Sequence, residues 1–129
     1  VLSGDALFKI QSDVIRDIAS RESALFVGRC ADYILRDHPR RLSVFITADD
    51  ADRVARICGR TGCSAAEAAP TMARGDARRA DYYNYYSLRT WGAASSYDLC
   101  ISTSVLGIEA AAELILRFAA QKLDLTTDL

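Results

Sequence analysis

Apolar residues at Leu7, Phe8, Val14, Ile15, Ile18 and Ala19 recur at helical spacing over residues 5–21, with the polar Gln11 on the same face. The spacing predicts a helix there, capped by Asp5. The rhythm then changes. "LFVG", residues 25–28, is a short apolar run ending on a glycine and predicts a buried strand. "CADYILRD" fits a short helix stopped at His38-Pro39, because the residue before a proline is driven out of the α region. "LSVFIT", residues 42–47, is apolar and rich in strand formers and predicts a second buried strand. "ADDADRVARICGR" predicts a helix with Asp49 near its cap, Val54, Ile57 and Cys58 facing inward, and a break at Gly59 and Gly62.

"SAAE", Ser64 to Glu67, has the form of a capping box. A long helix is expected from there to about Tyr86, strained in its second turn by Pro70. "WGAASS" reads as loop and "YDLCIST", residues 97–103, as a third strand. Ser104 is placed to cap a last helix with Ile108, Ala111, Ala112, Ile115, Phe118 and Ala119 inward, before a tail, "DLTTDL", that frays. Strands alternate with helices, and all three strands are mainly apolar runs without inside-outside alternation. The expected fold is therefore α/β, a parallel sheet covered by helices on both faces. No repeat, low-complexity segment or linker divides the chain, so a single domain over 1–129 is expected.

Composition changes this picture little. Of 129 residues half are hydrophobic, and the net charge of -1 gives no general affinity for nucleic acid or anionic membrane. Cys30, Cys58, Cys63, Cys100 and the single His38 fall in no metal-like spacing, so no metal site is expected from protein ligands. The bland reading is reduced, mostly buried thiols in a cytoplasmic protein. No run approaches the roughly 20 apolar residues needed to cross a bilayer, and no signal peptide is visible. The basic residues are lopsided, 14 Arg against 2 Lys, which puts weight on where particular arginines stand.

In parallel α/β sheets ligands bind beyond the carboxyl ends of the strands. Arg29 lies just past residues 25–28, well placed to hold an anion by two parallel hydrogen bonds. The competing reading is a salt bridge to Asp32 or Asp37. In "MARGDARRADYYNYY", residues 72–86, Asp76 and Arg79 are three apart and share a helix face, while Arg78 turns about 100° away. Tyr82 and Tyr86 continue the face. This suggests a phosphate clamp beside a surface for a base or ribose. The alternative is a solvated, salt-bridged helix with its tyrosines on the core; a patch for single-stranded nucleic acid is disfavoured by the net charge. Arg53, Arg56 and Arg60 recur at helical spacing, either as an arginine lid that closes over phosphates or as the wet face of an ordinary helix.

Taken in order, "FVGRCADYILRD", "VFITA", "GDARRADYYNYYSLRTWG" and "YDLCISTSVLGIE" resemble the cytidylate kinase-like family, within the P-loop nucleoside monophosphate kinases. The resemblance runs from about Phe8 to Ile115. It implies phosphoryl transfer from ATP, with Mg2+, to a CMP-like pyrimidine nucleotide or other small acceptor. It implies a small-molecule nucleotide as the partner, with no nucleic acid or membrane. By the family's Gly-Arg-Asp motif, Arg29 inherits the acceptor phosphate. By its Asp-x-x-Arg helix, Asp76 inherits the acceptor ribose and Arg79 the phosphates. Arg53, Arg56 and Arg60 resemble the lid, which makes Arg56, Arg60 and Arg79 the catalytic candidates. Residues of about 53–86 then form the lid and acceptor-binding helices.

Two departures qualify the match. The aspartate that follows the motif arginine is Cys30 here, and the nearest carboxylate is Asp32, two residues on, kept with Arg29, Asp76 and Arg79 in the substrate-binding set. Nor is there any G-x-x-x-x-G-K-S/T; Gly4 stands alone, and neither Lys9 nor Lys122 follows a glycine loop. In the family that loop follows a central strand lying between the equivalents of 25–28 and 42–47. Without it, a strand-wide gap of about 4.8 Å on each side would leave buried backbone groups unpaired. The expectation is that an N-terminal segment with one or two strands and the P-loop precedes Val1, and that the chain without it is inactive. Otherwise the flanking strands pair directly, or a partner chain fills the gap. The alternatives to an enzyme are a non-catalytic module that binds a nucleotide or phosphate, and a dimerisation domain whose strand edges pair with a second copy.

Overall fold

The computed structural model describes residues 3–124, in two compact units, 1–41 and 42–129. The first unit begins with α1, Gly4–Arg21. Ser3, and not Asp5, caps it: the Ser3 hydroxyl accepts from the Ala6 N–H at 3.1 Å, while Asp5 lies in the first turn, where its charge suits the helix dipole. Ser12 and Ile15 form its buried face, with Ser12 Oγ donating to the Phe8 carbonyl. A short helix, α2, spans Ala31–Ile34 and buries both of its end residues.

The segment expected to be the first strand is not one. Residues 25–28 carry no sheet pairing, and Leu25 and Val27 are 91% and 87% exposed. A strand exists only through hydrogen bonds to a neighbour, and among the described residues the sheet has two members. An apolar run shows that a segment could enter a sheet; it does not supply the partner.

The second unit holds β1 (Val44–Thr47), α3 (Asp50–Thr61), α4 (Ala65–Ser87), a 3-10 turn (Ala94–Ser96), β2 (Leu99–Ser102), α5 (Thr103–Leu106) and α6 (Ile108–Lys122). β1 and β2 pair in parallel, Val44 opposite Leu99 through Thr47 opposite Ser102. Their carboxyl ends therefore lie together, and α3 and α4 form the crossover that a parallel pair requires. At the amino end Asp98 Oδ2 accepts from the Ser43 N–H and from Lys122 Nζ, each at 2.8 Å, which ties the last turn of α6 to the sheet. An aromatic cluster packs alongside. The Phe45 ring meets Trp91 edge-on at 5.3 Å and Tyr97 at 5.0 Å, and Tyr83 stacks on Tyr97.

Local signals account for most boundaries. Ser64 accepts from the Glu67 N–H and donates to Glu67 Oε1, and α4 continues through Pro70 without a break. Gly59 lies inside α3; the helix ends only at Gly62, whose φ of 77° gives the left-handed closure a glycine adopts without strain. Ser104 does not cap the last helix. α5 intervenes and α6 starts from Gly107; of the expected inward stripe Ala111 is buried and Ile115, Phe118 and Ala119 are half-buried, while Ile108 and Ala112 are exposed. All four cysteines are free thiols, yet only Cys30 is buried and Cys100 is exposed. Of the tail expected to fray, residues 125–129 lie outside the described part. No helix among the described residues is long and apolar enough to cross a membrane.

Candidate functional site

The parallel register brings the ends of β1 and β2 to one side, and short polar links finish that rim. Thr103 Oγ1 donates to the Thr47 carbonyl at 3.4 Å. Asp49 stands at the N-cap of α3 without a side-chain cap, and its own N–H donates instead to Ser104 Oγ at 2.7 Å. The same hydroxyl donates to Asp52 Oδ2 at 2.7 Å. Ser104 thus fixes the start of α3 to the rim. An open groove of about 320 Å³ lies here, lined by Asp52, Ala55, Arg56, Thr103, Ser104 and Ile108 among others. It sits beyond the carboxyl ends of the strands, the place where open parallel sheets take ligands.

One helical turn from Arg56, Arg53 points to α4. Its Nη2 donates to Asp76 Oδ1 at 2.6 Å. Arg79 Nη1 donates to the same oxygen at 3.2 Å, from one turn along α4. Among the described residues Asp76 Oδ2 has no hydrogen bond, so one carboxylate oxygen is shared by two guanidinium groups and the other is open. The Arg53 hydrogen bond outweighs the opposing effect of burial and, with the Arg53 and Arg79 charges, holds the Asp76 carboxyl below its usual range. The same bond raises the Arg53 guanidinium. Gly75 makes room for Arg79 to fold back along its own helix: a Cβ there would stand 3.2 Å from Arg79 Nη1. Farther along α4, Tyr82 and Tyr86 meet at 4.9 Å, and Tyr83 turns into the core.

The helical spacing predicts Asp76 with Arg79, and the structure brings them together. It adds Arg53 to them, 23 positions away, a member of the expected lid series that pairs here with a carboxylate. Arg56 lines the groove and Arg60 lies in the last turn of α3; among the described residues neither is paired. Arg78 is exposed and likewise unpaired. At the far end of α3, burial and the neighbouring Cys63 raise the Cys58 thiol, an inert rather than a nucleophilic setting. No group of three His, Cys, Asp or Glu side chains among the described residues converges as metal donors, so none is assigned to Mg2+.

Arg29 belongs to the first unit. It is the middle of three consecutive left-handed residues: Gly28 at φ 72°, Arg29 at 58° and Cys30 at 61°. For a non-glycine residue each such conformation is strained, and strain of this kind concentrates at ligand sites. Cys30 is buried, which pins the turn from below, while Arg29 is exposed. The salt bridge to Asp32 or Asp37 does not form: among the described residues Arg29 has no hydrogen bond or ion pair. Asp32 lies in the first turn of α2 and is half-buried.

A family model described as the cytidylate kinase-like family matches residues 1–105. A crystal structure of an uncharacterized protein from Eubacterium ventriosum ATCC 27560 is similar at a TM-score of 0.87 and 30% sequence identity, over 93% of this chain and 68% of that one. No match was found among curated proteins. The chain belongs to the cytidylate kinase-like family.

Proposed function

We propose that the chain supplies the acceptor-binding part of a nucleoside monophosphate kinase-like phosphotransferase, which passes a phosphoryl group from ATP to a CMP-like nucleotide or a related small acceptor. The observation that carries the reading is the half-committed pair on α4: a carboxylate with one oxygen open beside an arginine with most of its donors open. An ionised carboxylate oxygen accepts, so the open Asp76 Oδ2 suits a ribose hydroxyl. The unused donors of Arg79 suit a phosphate, which a guanidinium grips by two parallel hydrogen bonds. Arg29, taken by itself, is a further phosphate candidate: an exposed, unpaired guanidinium on a left-handed turn. Asp32 stays a weaker candidate for the acceptor base.

In this reading Arg56 and Arg60 supply positive charge that phosphoryl transfer needs as negative charge builds on the moving group. Arg56 does so from the groove at the strand ends, where the donor's phosphates are proposed to lie. ATP and its Mg2+ supply the phosphoryl group and its charge neutralisation. These 129 residues hold no G-x-x-x-x-G-K-S/T, so no transfer step is routed through them alone and binding is the test.

The experiment is calorimetric titration with CMP, dCMP, UMP and ATP, repeated on Asp76→Asn and Arg79→Ala. Saturable binding of a monophosphate that weakens about tenfold in each variant is expected, the scale of a lost charge-assisted hydrogen bond. No binding of any monophosphate, or equal affinity in both variants, overturns the proposal.

A further inference from the structure

An aspartate and an arginine three apart on one helix ordinarily close on each other. A guanidinium so used has its charge offset by the carboxylate and is held against it, which weakens its pull on an anionic ligand. In α4 that closure is incomplete, because a second guanidinium arrives from α3. Arg53 Nη2 stands 2.6 Å from Asp76 Oδ1 and Arg79 Nη1 stands 3.2 Å from the same atom. The Arg53 side chain is 31% exposed and that of Arg79 is 63% exposed, so the closer and better shielded partner is Arg53. The other carboxylate near Arg53, Asp50, is 3.6 Å from its Nη1 and largely in solvent, and competes weakly. Two guanidinium charges against one carboxylate leave one positive charge in excess, and it falls on Arg79, the exposed member.

Resting on the reading of Asp76 and Arg79 as ligand groups, we propose that Arg53 is a positioning residue: by occupying Asp76 Oδ1 it keeps Arg79 available to the ligand's anionic group. Arg53 touches no ligand. Its removal lets Asp76 draw the Arg79 guanidinium onto itself, and the anion loses its partner. α3 and α4 thus share the work: one helix carries the ligand groups and the other prevents them from satisfying each other.

The test is a double-mutant cycle on the whole chain, with affinity for CMP and for inorganic phosphate measured calorimetrically at low ionic strength. Arg53→Ala is expected to weaken both probes about fivefold to tenfold in the native background. In the Asp76→Asn background, where no carboxylate captures Arg79, the same change is expected to cost less than about twofold. Arg53→Lys, which restores the charge but not the fork, is expected to recover part of the loss. Equal losses in both backgrounds would mean that Arg53 binds the ligand directly; no loss in either would mean that it only braces two helices. Both outcomes overturn the proposal.

A readout without ligand accompanies these. The Asp76 carboxyl, followed by carbon-13 NMR, should titrate at higher pH in Arg53→Ala, and the Arg79 guanidinium signals should shift as its pairing tightens. Unchanged signals defeat the proposal even where affinity falls. Failure of the native protein to bind either probe would defeat the acceptor-site reading instead, and the titration would still decide the pairing.

Discussion

In the first unit Arg29 stands on three successive left-handed residues with no carboxylate paired to it; in the second, Arg79 rides a regular helix and shares Asp76 with Arg53. Both are exposed arginines that we propose for an anion, held by different physics. The turn holds its cation by backbone geometry, which costs about 1–2 kcal/mol at each non-glycine residue forced left-handed. The helix pair holds its cation by electrostatics, which contributes a few tenths to about 1 kcal/mol to the fold. One arrangement opposes stability and the other adds to it. Substitutions at the two places should therefore move binding in the same direction and stability in opposite ones.

The sharpest way to break this contrast is Arg29→Gly. Affinity for inorganic phosphate at this turn should fall about thirtyfold or more with the loss of a bidentate cation, while the unfolding free energy of the first unit should rise by about 1 kcal/mol as the strain at φ 58° is relieved. Calorimetry and denaturant unfolding read the two effects, and a loss of stability would show that the turn is not strained. Asp76→Asn should give the opposite sign in stability: about tenfold weaker CMP binding with about 1 kcal/mol lost, since two guanidinium groups lose their charged partner.

Acid sharpens the contrast further. The Asp76 carboxyl is held below its usual range, so its stabilising effect is complete above the unfolded value near pH 4 and is lost as pH falls through the lower folded value. Urea unfolding between pH 5 and pH 2.5 should show a decline that Asp76→Asn lacks, amounting to less than about 1 kcal/mol. The same decline in the variant would assign it to other carboxylates. The smallest effect is expected from Gly75→Ala. A Cβ 3.2 Å from Arg79 Nη1 must push that side chain by a few tenths of an ångström, while alanine favours the helix by up to about 1 kcal/mol. Slightly higher helix stability with a twofold change in affinity is the expected outcome; an unaltered affinity would show that Arg79 tolerates displacement.

What could be read from sequence was local. The Ser64 box, the strands at 44–47 and 99–102 and the Asp76–Arg79 spacing each depend on neighbours within four positions or on a short apolar run. What could not be read was which segments meet. Residues 25–28 have the composition of a strand, yet pairing is a property of two segments. Arg53 belonged to a visible series with Arg56 and Arg60, and nothing within α3 says which of the three meets a carboxylate 23 positions on; the packing of α3 on α4 decides it. The left-handed conformations of Arg29 and Cys30 carried no signal beyond Gly28, because neither residue type favours that region. Ser104 was legible as a capping residue but not as a tether, since its partners, Asp49 and Asp52, lie at the start of α3 on the far side of the crossover.

The edge-on contact of Phe45 with Trp91 makes the chain's single indole a built-in fluorophore for residues 42–129. Its emission should report loosening of the aromatic cluster around it. A heating curve followed by that emission and one followed by circular dichroism would coincide only if the two units lose structure together.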